Sequence, residues 1–65
     1  MNPAAPRALM SPAHAAEYLD ISTDTLRRLV QSGELRAVTL PTGGARRYAR
    51  ADLDGLVERL RRRPL

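Results

Sequence analysis

The lack of cysteine in so short a chain is the feature that most restricts its fold. With 65 residues and no cysteine, the chain has neither disulfides nor thiolate-bound zinc to stabilise it. It also has no Phe or Trp, so its core must be built from aliphatic side chains and two tyrosines. We therefore expect a single domain of a few short helices packed closely around leucines.

The basic residues, all of them arginine, are concentrated in the middle of the chain. Residues 21–50 contain six arginines and two acidic residues, whereas residues 51–60 contain one arginine and three acidic residues. Three consecutive arginines follow at positions 61–63. Coding bias explains the choice of arginine over lysine as well as function does, but the uneven distribution favours a basic face directed at a polyanion.

A first helix is predicted over residues 12–19. Ser11 is a suitable N-cap, proline is tolerated at the first helical position, and Leu9 is placed to pack against the helix. Only three residues separate this helix from the next, so the two helices must cross steeply around Ile21, as in a helix-turn-helix. Asp20 is expected to take the left-handed conformation, which costs Asp up to about 1 kcal/mol relative to Gly.

Two further helices carry apolar residues at helical spacing. The second, over residues 23–32, begins after the N-cap Ser22 and stops at Gly33, and the third covers residues 51–62. In both helices we expect the apolar stripe to face the core. The stripes consist of Leu26, Leu29 and Val30 in the second helix and of Leu53, Leu56, Val57 and Leu60 in the third.

The segment between these two helices has the pattern of a β-hairpin. Residues 34–40 and 45–49 are short strand-like runs separated by PTGG, in which the glycines permit positive φ and the proline ends the first strand. The glycines also let the tip approach another molecule closely, because they have no β-carbon. Since side chains alternate along a strand, Arg46 and Arg47 must point to opposite faces.

Two motifs in this order and spacing resemble a known family. TLRRLVQSGEL at residues 25–35 and GGARRYARADL at residues 43–53 are similar to the compact winged helix-turn-helix domain of excisionases and of MerR-type regulators. The chain departs from that pattern at Asp20, where glycine is common, and at Ala45, where relatives often have a larger polar residue. The second departure removes one potential contact at the tip.

The resemblance implies a mainly α fold with a small β-hairpin. The expected order is two helices, a strand, the wing turn, a second strand and a third helix, which together form a winged helix-turn-helix domain over residues 9–62. Residues 1–8 are then expected to be a flexible leader, and residues 63–65 a basic C-terminal end.

The outer face of the second helix is the predicted base-reading surface. If the leucines face inward, a polar face remains that can lie in the major groove, where Arg recognises guanine and Gln recognises adenine. Arg28 and Gln31 are therefore the base-reading candidates, and the resemblance assigns Arg27 to the phosphate backbone. Asp24 either accepts from cytosine or, as we favour, stabilises the first turn through the helix dipole.

Phosphate contacts are expected at the start of the second helix and in the wing. Hydroxyl groups and backbone N–H groups can bind phosphate at the helix start, and at least one wing arginine is expected to do so. Tyr48 is expected to pack beneath the third helix with its hydroxyl close to a phosphate, and Arg50 either caps that helix or contacts DNA. The predicted DNA-binding residues are Thr23, Thr25, Arg27, Arg28, Gln31, Gly43, Gly44, Arg46, Arg47, Tyr48 and Arg50.

No pattern in the chain points to catalysis. His14 is the only histidine, and it has no cysteine or second histidine with which to form a metal site. We expect no enzyme activity, metal, cofactor or small-molecule ligand. Residues 1–10 lack the apolar run of a signal peptide or membrane span, so we expect a cytoplasmic, nucleoid-associated protein without membrane contact.

These expectations lead to three functional hypotheses. The first is a sequence-specific binder of double-stranded DNA that resembles excisionases, binding and bending attachment-site DNA with an integrase and neighbouring copies of itself as further partners. The second is a small MerR-like transcriptional regulator, a class whose members typically continue into a long dimerisation helix. The third is a protein-interaction adaptor that uses the third helix, which we disfavour because the core is expected to need those leucines.

Overall fold

The computed structural model of the protein describes residues 8–63. Within that range the elements are β1 (Leu9–Met10), α1 (Pro12–Leu19), α2 (Thr23–Gln31), β2 (Val38–Thr39), β3 (Arg46–Ala49) and α3 (Arg50–Arg62). The fold is mainly helical with a small antiparallel sheet, as predicted. Of the expected leader and basic end, residues 1–7 and 64–65 lie outside the described residues.

Helix α1 has the predicted bounds, and both of its ends are set by local chemistry. At its start, the Ser11 hydroxyl accepts a hydrogen bond from the backbone N–H of His14 at 3.2 Å. At its end, Asp20 has φ 57° and ψ 46°, so the predicted left-handed conformation is confirmed. The N–H of Ile21 then donates to the carbonyl of Ala16 at 2.9 Å, which closes the turn that leads into α2.

Helix α2 ends with the same kind of turn. Gly33 has φ 84°, and the N–H groups of Glu34 and Leu35 both donate to the carbonyl of Leu29, at 3.0 and 3.1 Å. These bonds hold residues that were predicted to begin a strand, so that the strand β2 covers only residues 38–39 instead of 34–40. The N–H groups of Glu34 and Leu35 bond to a free carbonyl at the end of α2, so these two residues cannot pair as part of a strand.

The sheet contains a strand that the sequence pattern did not indicate. β1 pairs with β3, and β3 pairs with β2, so the order is β1-β3-β2. Met10 is opposite Tyr48 and is buried, whereas Leu9 is opposite Ala49 and is 40% exposed. β pairing thus turns Met10 into the core and leaves Leu9 partly exposed, so Met10 is the residue of this segment that the core buries.

The core forms around α1, which packs against α2, α3 and β3, while α3 also packs against β3. Its buried members come from β1, the three helices, β3 and the segment after α2, and Leu29, Val30 and Ile21 pack against them in partly buried positions. The inward direction predicted for the α2 stripe is thus confirmed. The buried residues are Met10, Ala15, Ala16, Leu26, Leu35, Tyr48, Leu53 and Leu56.

Helix α3 begins one residue earlier than predicted and buries only half of its apolar stripe. Leu53 and Leu56 are 0% and 1% exposed, but Val57 and Leu60 are 37% and 44% exposed. The prediction that all four face the core is wrong. Helix α3 has 13 residues and α1 has 8, and the two exposed apolar residues of α3 both lie in its second half.

Candidate nucleic-acid interface

The first turn of α2 is held by a side chain that precedes it. The Ser22 hydroxyl accepts a hydrogen bond from the N–H of Thr25 at 3.0 Å and donates one to the Thr25 hydroxyl at 2.9 Å. The N–H of Thr25 is therefore already used, and only its hydroxyl hydrogen is available to a phosphate. Thr23, the other predicted phosphate ligand in this turn, is exposed.

The polar face of α2 lies on the protein surface. Arg27, Arg28 and Gln31 are all exposed, while Leu26 on the opposite face is 1% exposed. Nε of Arg28 is 3.2 Å from Oδ2 of Asp24, one turn earlier on the same face. The structure pairs Arg27 with no carboxylate among residues 8–63. The helix therefore presents two neighbouring guanidinium groups, one held by a carboxylate and one not.

The hairpin tip depends on two consecutive residues with positive φ. Gly43 has φ 78° and Gly44 has φ 64°, and the N–H of Leu40 donates to the carbonyl of Ala45 at 2.8 Å to close the loop. A β-carbon built on either glycine would meet nothing within 4 Å. The tip is thus open to solvent, and backbone conformation rather than crowding accounts for the glycine pair.

The two arginines of β3 differ in how accessible they are. Arg46 is exposed and lies opposite Thr39, whereas Arg47 is partly buried and lies opposite Val38. Nη1 of Arg47 donates to the backbone carbonyl of Arg46 at 2.8 Å, so the Arg47 side chain bends back along its own strand. As predicted from strand alternation, the two residues occupy opposite faces, and Arg46 is the more exposed of the two.

The last two predicted residues flank the junction of β3 and α3. Tyr48 is 3% exposed and lies in the core, so its ring has the packing role that was expected of it. Arg50 is exposed, and its backbone N–H donates to the carbonyl of Ala8 at 2.9 Å. Its side chain forms an ion pair with Asp54, with Nε 3.8 Å from Oδ2. Neither position adds an unpaired cation to the hairpin surface.

Sequence analysis missed a cluster that connects α3 to the turn after α2. The guanidinium of Arg59 donates to the backbone carbonyl of Glu34, and that of Arg63 forms an ion pair with the Glu34 carboxylate. Arg59 and Arg63 follow Glu34 by 25 and 29 positions, so no local periodicity could have predicted these contacts. Arg36, which follows this turn, is an exposed cation that was not among the predicted contacts.

The predicted DNA-binding residues therefore form two groups, one on α2 and one on the hairpin. Helix α1 packs against both α2 and β3 and so connects the elements that carry them. Among residues 8–63 there is no group of three or more His, Cys, Asp or Glu that could bind a metal ion. None of the helices in that range combines the length and hydropathy that a membrane span requires.

The comparison with protein families agrees with this architecture. A family model described as a helix-turn-helix domain matches residues 9–61, which covers both helices of the pair, the hairpin and nearly all of α3. No curated protein and no solved structure matches the chain. Because the family model covers far more than half of the 65 residues, the chain belongs to the helix-turn-helix domain family.

Proposed function

We propose that the protein binds double-stranded DNA sequence-specifically, with α2 lying in the major groove. Membership in the helix-turn-helix family indicates a small DNA-binding protein. The observation that carries the finer proposal is the outer face of α2, where Arg27, Arg28 and Gln31 are exposed together. Arg28 and Gln31 have the chemistry to read guanine and adenine, while Arg27 and the Thr23 hydroxyl bind the phosphate backbone.

In this proposal the β2–β3 hairpin acts as a wing. Its tip has no side chain at Gly43 and Gly44, and the exposed Arg46 lies two residues after Gly44. Phosphate or minor-groove contact through Arg46 would anchor the domain without selecting a sequence. We expect Arg47 to contribute less, because it is less exposed than Arg46 and one of its N–H groups is already bonded to a backbone carbonyl. The proposal requires that α2 and the wing meet the same duplex.

The biological role that best fits such a module is that of an excisionase-like recombination directionality factor. A single copy with one recognition helix reads only a few base pairs, so useful specificity requires neighbouring copies on repeated sites. Bound side by side at an attachment site, such copies would bend the DNA and direct an integrase. Transcriptional regulation of the MerR type is the alternative that uses the same DNA-binding surface.

The salt dependence of binding tests whether the protein binds DNA through its arginines. The logarithm of the affinity for duplex DNA should fall linearly with the logarithm of salt concentration, with a slope of about −4 to −6. Arg46→Ala should weaken binding to all duplexes and reduce the slope by about one. Arg47→Ala is the matched control and should have the smaller effect. Undetectable DNA binding at physiological salt would contradict the proposal and favour a protein-interaction role.

Footprinting on the DNA that flanks the protein's own gene distinguishes the two biological roles. Several protected repeats in tandem at an attachment site are the expected result for a recombination factor. Protection of a promoter alone would instead support a regulator. A circular-permutation assay on the protected fragment would then measure bending, which the excisionase-like role requires.

A further inference from the structure

The ion pair between Asp24 and Arg28 has a feature that bears on base recognition. The two residues are one turn apart on α2, with the carboxylate in the first turn and the guanidinium in the last. This order places each charge at the end of the helix dipole that favours it. Both side chains remain accessible, at 77% exposure for Arg28 and 62% for Asp24, so the pair lies on the surface that is available to DNA.

The atom through which Arg28 contacts Asp24 determines which part of the guanidinium remains available. The short distance, 3.2 Å, joins Oδ2 of Asp24 to Nε of Arg28. A guanidinium has five N–H groups in a fixed plane, and four of them are on the two Nη atoms. An Arg held at Nε can therefore still present both Nη atoms to the O6 and N7 atoms of a guanine.

The neighbouring Arg27 provides an internal contrast. It is exposed on the same helix but has no carboxylate partner among residues 8–63. A guanidinium without a fixed partner suits a phosphate, which accepts hydrogen bonds from many directions, whereas recognition of one base edge requires a defined direction. The two arginines thus differ in the way that their proposed roles require.

We propose that Asp24 is a positioning residue that orients Arg28 for guanine and so sets the sequence preference of α2. This inference rests on the proposed DNA-binding function. It also implies that Asp24 lowers the affinity for every duplex, because a carboxylate on the DNA-facing surface repels phosphates. Asp24 therefore exchanges overall affinity for selectivity, which a capping role would not do. In the positioning role this selectivity depends on Arg28, whereas a direct contact of Asp24 with cytosine would persist without Arg28.

Replacing Asp24 with Asn tests whether Asp24 increases discrimination between sequences while it lowers the affinity for every duplex. The full chain first selects a preferred site from a random duplex library, and base-pair replacements then identify the position at which Arg28→Ala loses discrimination. At that position we expect Asp24→Asn to reduce discrimination about two- to fivefold, the size of an exposed charge pair. The same variant should bind non-preferred duplexes more tightly than the unaltered chain, since it is less acidic.

Two controls separate positioning from other effects. Glu58→Gln removes one negative charge and an ion pair of the same kind from α3, that of Glu58 Oε2 with Arg61 Nη1 at 3.3 Å, and should leave discrimination unchanged. In an Arg28→Ala background, Asp24→Asn should have no further effect on discrimination, because no guanidinium remains to be oriented. Thermal unfolding of each variant verifies that it is folded at the assay temperature.

The possible results each decide a different question. Unchanged discrimination in Asp24→Asn, or an equal loss with and without Arg28, would overturn the positioning role. A parallel loss of affinity for all duplexes would also overturn it and assign Asp24 to helix stability instead. If the unaltered chain selects no sequence from the library, the failure lies in the proposed sequence-specific function itself.

Discussion

Helices α2 and α3 both carry apolar residues at intervals of three and four, but the structure uses the two helices in different ways. In α2, Leu26 is buried and the rest of the stripe packs against the core, so the whole apolar face is used. In α3 the first half of the stripe is buried, and Val57 and Leu60 are exposed. Equal spacing in the sequence therefore does not imply equal burial.

The polar faces of the two helices differ in the number of their arginines and in how many of these have a partner within the chain. Helix α3 has four arginines and α2 has only two, yet three of the four in α3 contact acidic or carbonyl groups of the same chain. Arg27 of α2 has no such partner among the described residues, and Arg28 retains its Nη groups. Each helix thus has one arginine without such a partner among the described residues, Arg27 in α2 and Arg62 in α3, so the larger number of arginines in α3 adds no further unpaired cation to its surface.

The largest expected effect tests the burial contrast within α3. Leu53→Ala should lower the free energy of unfolding by about 2–5 kcal/mol, because it leaves a cavity at a fully buried position. Leu60→Ala, the same substitution at an exposed position of the same helix, should change it by less than about 1 kcal/mol. Urea unfolding measures both values, and equal losses would contradict the division of α3 into a buried and an exposed half.

The next effect concerns the polar faces. Arg28→Ala should reduce discrimination against the wrong base pair by about 1–3 kcal/mol at one position of the preferred site. Arg62→Ala removes an exposed arginine from α3 and should weaken binding equally to all sequences, if at all. Binding titrations with the preferred site and its single-base variants distinguish the two. Equal loss of discrimination in both variants would break the functional contrast between the helices.

A smaller effect is expected at the N-terminus of α2. Ser22→Ala removes the hydroxyl that accepts from the N–H of Thr25 and should lower stability by about 1 kcal/mol. Ser32→Ala, at the other end of the helix, removes only a hydroxyl that donates to the carbonyl of Leu29 and should have less than half that effect. Helix α3 has no side-chain cap at its N-cap Ala49, so a loss of stability in Ser22→Ala would show that α2 depends on a capping side chain that α3 lacks.

The smallest effect is a gain in stability at the turn that positions α2. Asp20→Gly should raise the free energy of unfolding by up to about 1 kcal/mol, since glycine adopts the left-handed conformation of residue 20 without strain. Asp20→Asn, which also tolerates that conformation, is the control and should change stability little. Thermal unfolding measures both, and a lower melting temperature for the glycine variant would argue against the strain.

Features set by local sequence were predicted well. The N-caps Ser11 and Ser22, the left-handed Asp20 and the inward Leu26 all depend on residues within one or two turns of each other. The identification of the exposed α2 face followed from the same periodicity. Contacts between distant residues were not predictable in this way, and Glu34, which receives both Arg59 and Arg63, is the clearest case.

The hairpin lies between these two cases. Its glycine tip follows from the need for positive φ at Gly43 and Gly44, a local requirement that glycine meets at little cost. The strand β1 and the burial of Met10 instead depend on pairing between residues about 40 positions apart, because Met10 lies opposite Tyr48. A two-residue strand has too little pattern of its own to be recognised.

The order of the helix-turn-helix elements, the ends of its helices and the polar surface of α2 follow from local sequence, because capping, left-handed turns and 3.6-residue periodicity act over short distances. Which apolar residues of α3 are covered, and which arginines are bound within the chain, depends instead on how distant segments pack together. Coverage depends on which elements pack against each turn of α3, and an ion pair depends on which distant loop a guanidinium can reach. Neither quantity is encoded in the spacing of residues along one helix.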